Sequence, residues 1–241
     1  MFDVLFEDNH LLVVDKPAGL ATMGAEGEQT LHWLGCEYLR TRYNKPGRAF
    51  LGIVSRLDAM TSGVIVMAKT SKAASRLAPQ FSGQGNNRAS KIYLAMLEGA
   101  LRDEAGERSD FVIKDDAARR MRVCGESTPN ALLARLRFAT LAKSQSETLV
   151  AVQLLSGRKH QIRVQFANLG HPVWADRKYG GRHSMDVGIG LHSLQLAINH
   201  PTLPERKLFK APLPKSWHRF GKLVQPMNQI HHHANRLLSP P

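Results

Sequence analysis

Between Ser146 and Gly170 the chain changes its hydrophobic period without a linker. In "SETLVAVQLLSG" the residues Thr148, Val150, Val152 and Leu154 alternate along one face, the period of two expected of a β-strand. In "GRKHQIRVQFANLG" the period becomes helical: Ile162, Phe166 and Leu169 share a face, and Gly170 stands where a helix would stop. Other segments alternate just as irregularly. "HLLVVDKPAGL" reads as a buried strand closed by a Pro-Ala-Gly turn, and "KIYLAMLEG" as a second strand. "TLHWLGCEYLRTRY" has Leu31, Leu34, Tyr38 and Leu39 near helical spacing, with Thr30 as N-cap. "SKAASRLAPQF" reads as a short helix whose end Pro79 must distort. Residues 102–129 are charged and poor in pattern, which predicts a loop-rich excursion or a hairpin. No internal repeat is present. Strands and helices mixed without regular β-α alternation predict an α+β fold, not a doubly wound sheet.

At 241 residues the chain can bury a proper core, in one domain or one domain with a small appendage. Charge is the less ordinary property. Against 20 Asp and Glu stand 33 Lys and Arg, a formal net charge of +13. Such an excess favours a polyanionic partner, nucleic acid before a membrane surface. No apolar run approaches the roughly 20 residues of a spanning helix, and "MFDVLFEDNH" lacks the basic start and apolar core of a signal peptide. The two cysteines, Cys36 and Cys124, form no C-x-x-C and read as incidental thiols of a reducing cytoplasm. After Trp217 the pattern fades, and "MNQIHHHANRLLSPP" reads as a tail whose three histidines lack partners at metal-ligand spacing.

The stretch "SRLDAMTSGVIVMAK" places an arginine two residues before an aspartate, then a Thr-Ser-Gly turn that runs into an apolar strand. Taken alone, Asp58 is an Asp before a turn that hydrogen-bonds local backbone, with Arg56 as a simple ion partner in the same extended segment. Tyr93 is an aromatic on a strand, and Arg163 a helix-surface cation.

Together these residues say more. "SRLDAMTSG", "KIY", "GRKHQIRV", "GHPVWADRKYG" and "LHSLQLAINHP" occur in that order, and the set resembles the RluA-type pseudouridine synthases of RNA. The opening "FEDNHLLVVDKPAGL" and the closing "FKAPLP" resemble the start and end of that family, so the likeness covers roughly residues 3 to 220. Two positions depart from the family pattern: Ser55 stands where His is usual and Ala175 where Gly is usual. The resemblance implies a catalytic domain over residues 1–225, built on a long, mixed, mostly antiparallel sheet in two halves with an RNA-binding cleft between them. A flexible tail over 226–241 follows. With the likeness beginning near the first residue, an N-terminal S4 RNA-binding module is not expected.

The implied reaction breaks the N1–C1′ bond of uridine, turns the uracil and rejoins it through C5. Nothing is added, so no cofactor is expected. Glycoside hydrolases use two carboxylates because water must be activated or a leaving group protonated; an isomerase that excludes water needs one, and by resemblance it is Asp58. Attack on a sugar carbon and removal of the 2′ proton both remain open, and both require the ionised form. Arg163, by resemblance, supplies the cation that favours ionisation, its position beside Ile162 suiting a half-buried guanidinium. Tyr93 would pack on the uracil and is the candidate for handling the C5 proton. Arg56 would hold the flipped nucleotide or fill its place in the stack. Thr61, Lys91, Arg158, Lys159 and His160 complete the candidate RNA contacts, the last four equally readable as solvated surface charge. Structured RNA, tRNA or rRNA, is the expected partner of a cytoplasmic monomer. Two other classes stand against this: an inactive RNA-binding module or chaperone of the same fold, and a nuclease or glycosidase using Asp58. The second is disfavoured because no second carboxylate or metal-ligand cluster accompanies Asp58.

Overall fold

The computed structural model describes residues 2–25, 27–82 and 87–224. The tail expected over 226–241, with its three histidines, lies outside the described residues. In chain order the strands are β1 (Asp3–Glu7), β2 (Leu11–Lys16), β3 (Gly52–Ile53), β4 (Ser62–Ala68), β5 (Ser90–Glu98), β6 (Ala105–Asp115), β7 (Arg120–Cys124), β8 (Leu132–Lys143), β9 (Glu147–Leu154), β10 (Leu191–Asn199) and β11 (Arg206–Lys210). The α-helices are α1 (Leu31–Arg42), α2 (Ser71–Ser82) and α3 (Gln161–Asn168). The α+β class read from the irregular alternation is what the structure shows. Two units divide these elements, residues 1–91 with 193–213, and 92–192 with the segment that starts at 214.

In the first unit the strand order is β1-β2-β4-β10, with β3 on β4 and β11 on β10. Leu11, Leu12, Val13 and Val14 have no exposed surface, and every residue of β4 is buried. A strand apolar on both faces in this way must be covered on both. Helix α1 begins as its sequence predicts: the Thr30 hydroxyl accepts from Trp33 N at 3.2 Å. Its last turn carries Arg40 and Arg42, the favourable sign at a helix C-terminus. Glu7 then staples α1 to the sheet, accepting from Tyr38 Oη at 2.8 Å, Tyr43 Oη at 2.7 Å and Lys69 Nζ at 2.6 Å. Helix α2 runs through Pro79 to Ser82, close to the end of the segment read as a helix. Both Pro79 and Ser75 are exposed, so the carbonyl left without its helical donor faces water and the helix survives.

The Gly of the Thr-Ser-Gly turn has a steric origin. Gly63 opens β4 at φ 110°, and a Cβ there would lie 2.2 Å from the Ser193 carbonyl oxygen in β10. No L side chain satisfies both conditions.

In the second unit the order is β5-β9-β8-β6-β7, each adjacent pair antiparallel. The pattern-poor stretch 102–129 is a hairpin: β6 and β7 pair from Phe111↔Cys124 to Asp115↔Arg120. Strand β9 alternates in sequence, yet Thr148 to Val152 are all buried, because it runs between β5 and β8 and is covered on both faces. Helix α3 likewise is buried at every residue from Gln161 to Phe166, against an expected single apolar face.

Between Val173 and Gly181 the backbone closes a tight loop. A Cβ on Gly181 would meet Asp176 N at 2.7 Å and Val173 O at 2.9 Å. Inside it Ala175 adopts φ 64°, a left-handed conformation that costs an L residue roughly 1–2 kcal/mol. This is the position at which a glycine was expected, and the dihedral gives the reason. Ala175→Gly is therefore expected to stabilise the protein by about 0.5–1 kcal/mol, the strain relief minus the greater entropy of glycine in the unfolded chain. Urea unfolding at fixed pH measures it, and an unchanged or lower midpoint would contradict the account.

Candidate active site

In the first unit Asp58 sits four residues before the start of β4, in a segment whose backbone polar groups are tied down in succession. The Thr22 hydroxyl brackets Leu57, donating to its carbonyl at 2.8 Å and accepting from its N–H at 3.1 Å. The Asp58 carbonyl accepts from Thr61 N at 3.0 Å, closing a turn over Ala59 and Met60. The Ala59 carbonyl accepts from Gly19 N at 2.8 Å and from Lys16 Nζ at 3.2 Å. Lys16 has no exposed surface, and its ammonium donates also to the carbonyls of Pro17 at 2.9 Å and Leu20 at 2.7 Å. Thus the turn that closes β2 and the turn that carries Asp58 share one buried cation. Burial pushes the Lys16 pKa down to about 8, with the charges of Asp58 and Asp15 opposing it.

Arg56 is exposed, and among the described residues it makes no hydrogen bond or ion pair, so the local Arg56–Asp58 pair allowed by sequence spacing is not formed. Thr61 is 2% exposed and its hydroxyl has no hydrogen-bond partner among the described residues. Lys91, at the start of β5, is half-buried, and burial lowers its pKa.

In the second unit Tyr93 is buried on β5, opposite Val152 of β9. Arg163 corrects the expectation of a half-buried cation at the edge of a helix face: it is 5% exposed. A guanidinium that far from water needs a partner, and Asp176 provides it in bidentate form, Nε to Oδ2 at 2.6 Å and Nη2 to Oδ1 at 2.8 Å. The Tyr179 ring lies 5.0 Å from the Arg163 guanidinium carbon, and its hydroxyl bonds His160 Nδ1 at 2.7 Å and accepts from Met121 N at 2.9 Å. His160 is therefore held at the N-cap of α3, at φ 53°, by a tyrosine. Gln161 fixes the rest of "GRKHQ": its Oε1 accepts from Arg158 N and Ser156 Oγ, and its Nε2 donates to Arg135 O. Arg158 is half-buried and donates from Nε to Leu133 O at 2.9 Å; Lys159 is exposed.

Reading the sequence did not single out Lys16, Asp176 or Tyr179. The signals were a lysine at the end of a largely apolar strand, and an acid and an aromatic in the quoted "WADRKYG". Among the described residues no group of three or more His, Cys, Asp or Glu is placed to hold a metal ion, and no helix is long and apolar enough to cross a membrane.

The burial of Lys16 has a pH signature. Its folded pKa of about 8 lies below the ordinary 10.5. Below pH 8 both states hold the proton; between about 8 and 10.5 the unfolded state holds it and the folded state does not. The stability contributed by this group therefore rises with pH across that window, by at most ~1.4 kcal/mol per unit. The difference in unfolding free energy between wild type and Lys16→Met should be flat below pH 8 and shift toward the wild type above it. A difference that is constant from pH 7 to 10 would contradict a desolvated Lys16.

Comparison with known proteins bears on the family and the fold. A family model described as RNA pseudouridylate synthase matches residues 10–168. Among curated proteins, "Uncharacterized RNA pseudouridine synthase YhcT" of Bacillus subtilis is 36% identical over 216 residues, covering 88% of this chain and 68% of the relative. "Ribosomal large subunit pseudouridine synthase C" of Vibrio cholerae is 33% identical over 217 residues, covering 87% of this chain and 65% of the relative. The chain thus spans about two thirds of the length of these curated relatives. In fold it is similar to the solved structures of human RNA pseudouridylate synthase domain containing 1 (TM-score 0.74, 24% identity, 100% of this chain and 97% of that one) and domain containing 4 (TM-score 0.74, 23% identity, 90% and 92%). The ordered motifs, the α+β architecture and the family match lead to one conclusion: this chain belongs to the RNA pseudouridylate synthase family of isomerases.

Proposed function

We propose that this chain converts specific uridines in structured RNA to pseudouridine, using Asp58 as its single carboxylate and no cofactor. The observation that carries the reading is the anchoring of the Asp58 turn: Leu57, Asp58 and Ala59 are each held through the backbone by Thr22, Thr61, Gly19 or Lys16. A carboxylate that must meet C1′ or the 2′ proton of an extruded nucleotide needs such a fixed base, since misplacement by about 1 Å costs roughly a hundredfold in rate. Tyr93 packs on the uracil and handles the C5 proton. Arg163, oriented by Asp176, supplies the cation for the ionised carboxylate. Exposed Arg56 contacts the displaced nucleotide, and Lys91, Arg158, Lys159 and His160 contact phosphate, with Thr61 supporting the turn. The names of several relatives, ribosomal large subunit synthases C and D, favour ribosomal RNA over tRNA as the substrate class. A monomer in the cytoplasm, with the catalytic domain over 1–225 and a tail after it, belongs to the same reading.

The test is the product. Asp58→Asn is nearly isosteric and keeps the backbone turn, so it should abolish pseudouridine formation in cellular RNA, counted by nucleoside chromatography, while RNA binding persists and thermal stability stays close to wild type. Pseudouridine made by the folded variant would sink the assignment; a wild type that makes none on any cellular RNA would favour an inactive binding module. RNA cut or stripped of base, in place of RNA unchanged in mass and length, would mean a hydrolase.

Tyr93→Phe separates the two roles of that residue. It retains the buried ring and removes the hydroxyl. If the hydroxyl moves the C5 proton, single-turnover rates should fall by roughly 10²- to 10⁴-fold with RNA affinity unchanged. Near-normal turnover would reduce Tyr93 to a packing surface.

A further inference from the structure

The second unit carries an aromatic stack, built on the loop that also holds Asp176, that none of the roles above uses. His183 lies on Trp174 with ring centroids 3.5 Å apart and planes 12° apart. Trp174 is 5% exposed, and its indole N–H has no hydrogen-bond partner among the described residues. That omission costs a buried polar group roughly 1–3 kcal/mol, so the residue is used here for its face and not its nitrogen. His183 is the reverse case: its side chain is 44% exposed. One ring face is against the indole, so the solvent reaches the other.

Exposed aromatic rings are ordinarily free to turn, and this one is not. Glu98, nearly buried, accepts His183 Nδ1–H at 3.0 Å, His183 N at 3.2 Å and Arg182 N at 2.9 and 3.0 Å. Burial works against the Glu98 charge, and these donors outweigh it, keeping its pKa below the usual carboxylate value. The ring is thus fixed at its edge by a carboxylate and at its back by an indole. Around it the surface is basic. Arg219 lies 5.6 Å from the Trp174 ring centre and donates to Ser184 O at 2.6 Å. The 3₁₀ segment Lys215–Val224 buries Trp217, Phe220 and Val224 and leaves Lys215, His218, Arg219 and Lys222 exposed. No acid occurs between 211 and 224.

A flat ring held rigid, open on one face, with Arg219 and the basic segment 215–222 on the same unit and one exposed acid, Asp186, three residues on, has the composition of a single-stranded nucleic-acid contact: the base stacks and the phosphates find the cations. We propose that His183, backed by Trp174 and Glu98, stacks an unpaired base of the RNA that flanks the modified element, with Lys215 and Lys222 neutralising the adjoining phosphates. This rests on the RNA-modifying reading above and adds a second point of substrate contact. His183 acts by binding and not by chemistry.

The experiment compares two probes, a blunt RNA stem-loop that wild type modifies and the same stem-loop with a single-stranded extension carrying 2-aminopurine, against the full chain and its His183→Ala, His183→Phe and Lys215→Glu/Lys222→Glu variants. The extension should tighten wild-type binding about tenfold and quench the 2-aminopurine. His183→Ala should lose both effects while binding and modifying the blunt stem-loop normally; His183→Phe should restore the quench. The double charge reversal should weaken the extended probe and lower its salt slope by about two contacts. An extension that adds no affinity and no quench with wild type, or a gain that survives His183→Ala, overturns the platform. Should His183→Ala prove unfolded by thermal melt, the wild-type quench and its retention in His183→Phe decide the matter. A wild type that modifies no stem-loop of cellular RNA, so that no such probe exists, overturns the RNA reading itself, a result distinguishable from failure of the platform alone.

Discussion

The Lys16 ammonium, which has no exposed surface, is the interaction on which the candidate site most depends. Moving an ammonium out of water costs several kcal/mol even after relaxation, and here no carboxylate neutralises it at contact distance. Three backbone carbonyls do the solvating, from Pro17, Leu20 and Ala59. Two of these belong to the turn that ends β2, and the third follows Asp58, 43 residues further along the chain. A cation in this position cannot relax by moving one loop away from the other without leaving itself unsolvated. It therefore converts a local strand-end turn into the anchor of the candidate carboxylate. Because its partners are neutral, its charge is not cancelled where it sits, and Asp58 is the largest of the charges that favour its protonated form.

Arg163 is buried by the opposite strategy. Its bidentate pair with Asp176 is neutral overall, and the two side chains are 6% and 1% exposed. What this arrangement secures is orientation: a planar fork on a planar carboxylate fixes the direction of the remaining guanidinium edge. The carboxylate is itself located by the loop between Val173 and Gly181, in which a left-handed Ala175 precedes Asp176. Strain at Ala175 and the geometry at Arg163 are in this sense one feature. Local backbone strain persists where the surroundings over-determine it, and the hydrogen bonds from Gly181 N to Asp176 O at 2.9 Å and from Asp176 N to Val173 O at 3.0 Å do so here.

How much of this was legible in the sequence depended on whether the cause was local. The α1 start was readable because Thr30 caps a backbone N–H three residues away. The hairpin at 102–129 is not separable from a loop in the sequence because β6 is largely exposed and carries no apolar alternation to read. Arg163 was misjudged in burial because helical period reports apolar content, while its partner lies 13 residues on in a loop with no periodicity. A helix that includes Pro79 is legible, but how well it tolerates the proline is not, because that depends on whether the orphaned carbonyl meets water, which the exposure of Ser75 decides. Lys16 was overlooked for a related reason. A charge at the end of a largely apolar strand reads as its boundary until the carbonyls that solvate it are known.

The same logic applies to the charge of the whole chain. A net +13 counts each residue once, but acids and bases are not buried alike. Glu98 and Asp8 are occupied by backbone amides and histidines: Glu98 holds Arg182 N and His183, and Asp8 holds His10 N, Leu11 N and His200 Nε2. Among the described residues neither makes an ion pair with a lysine or arginine. Asp176 and Glu7 do neutralise cations, Arg163 and Lys69, in pairs with little exposed surface, and Glu7 also meets the exposed Arg42. The exposed cations at Arg56, Lys159, Lys215 and Lys222 are thereby left with fewer competing acids than the composition suggests. For a polyanion whose binding is driven by phosphate neutralisation and counterion release, the number that matters is the count of cations free to reach it, and this fold keeps that count high by turning part of its acidic complement inward.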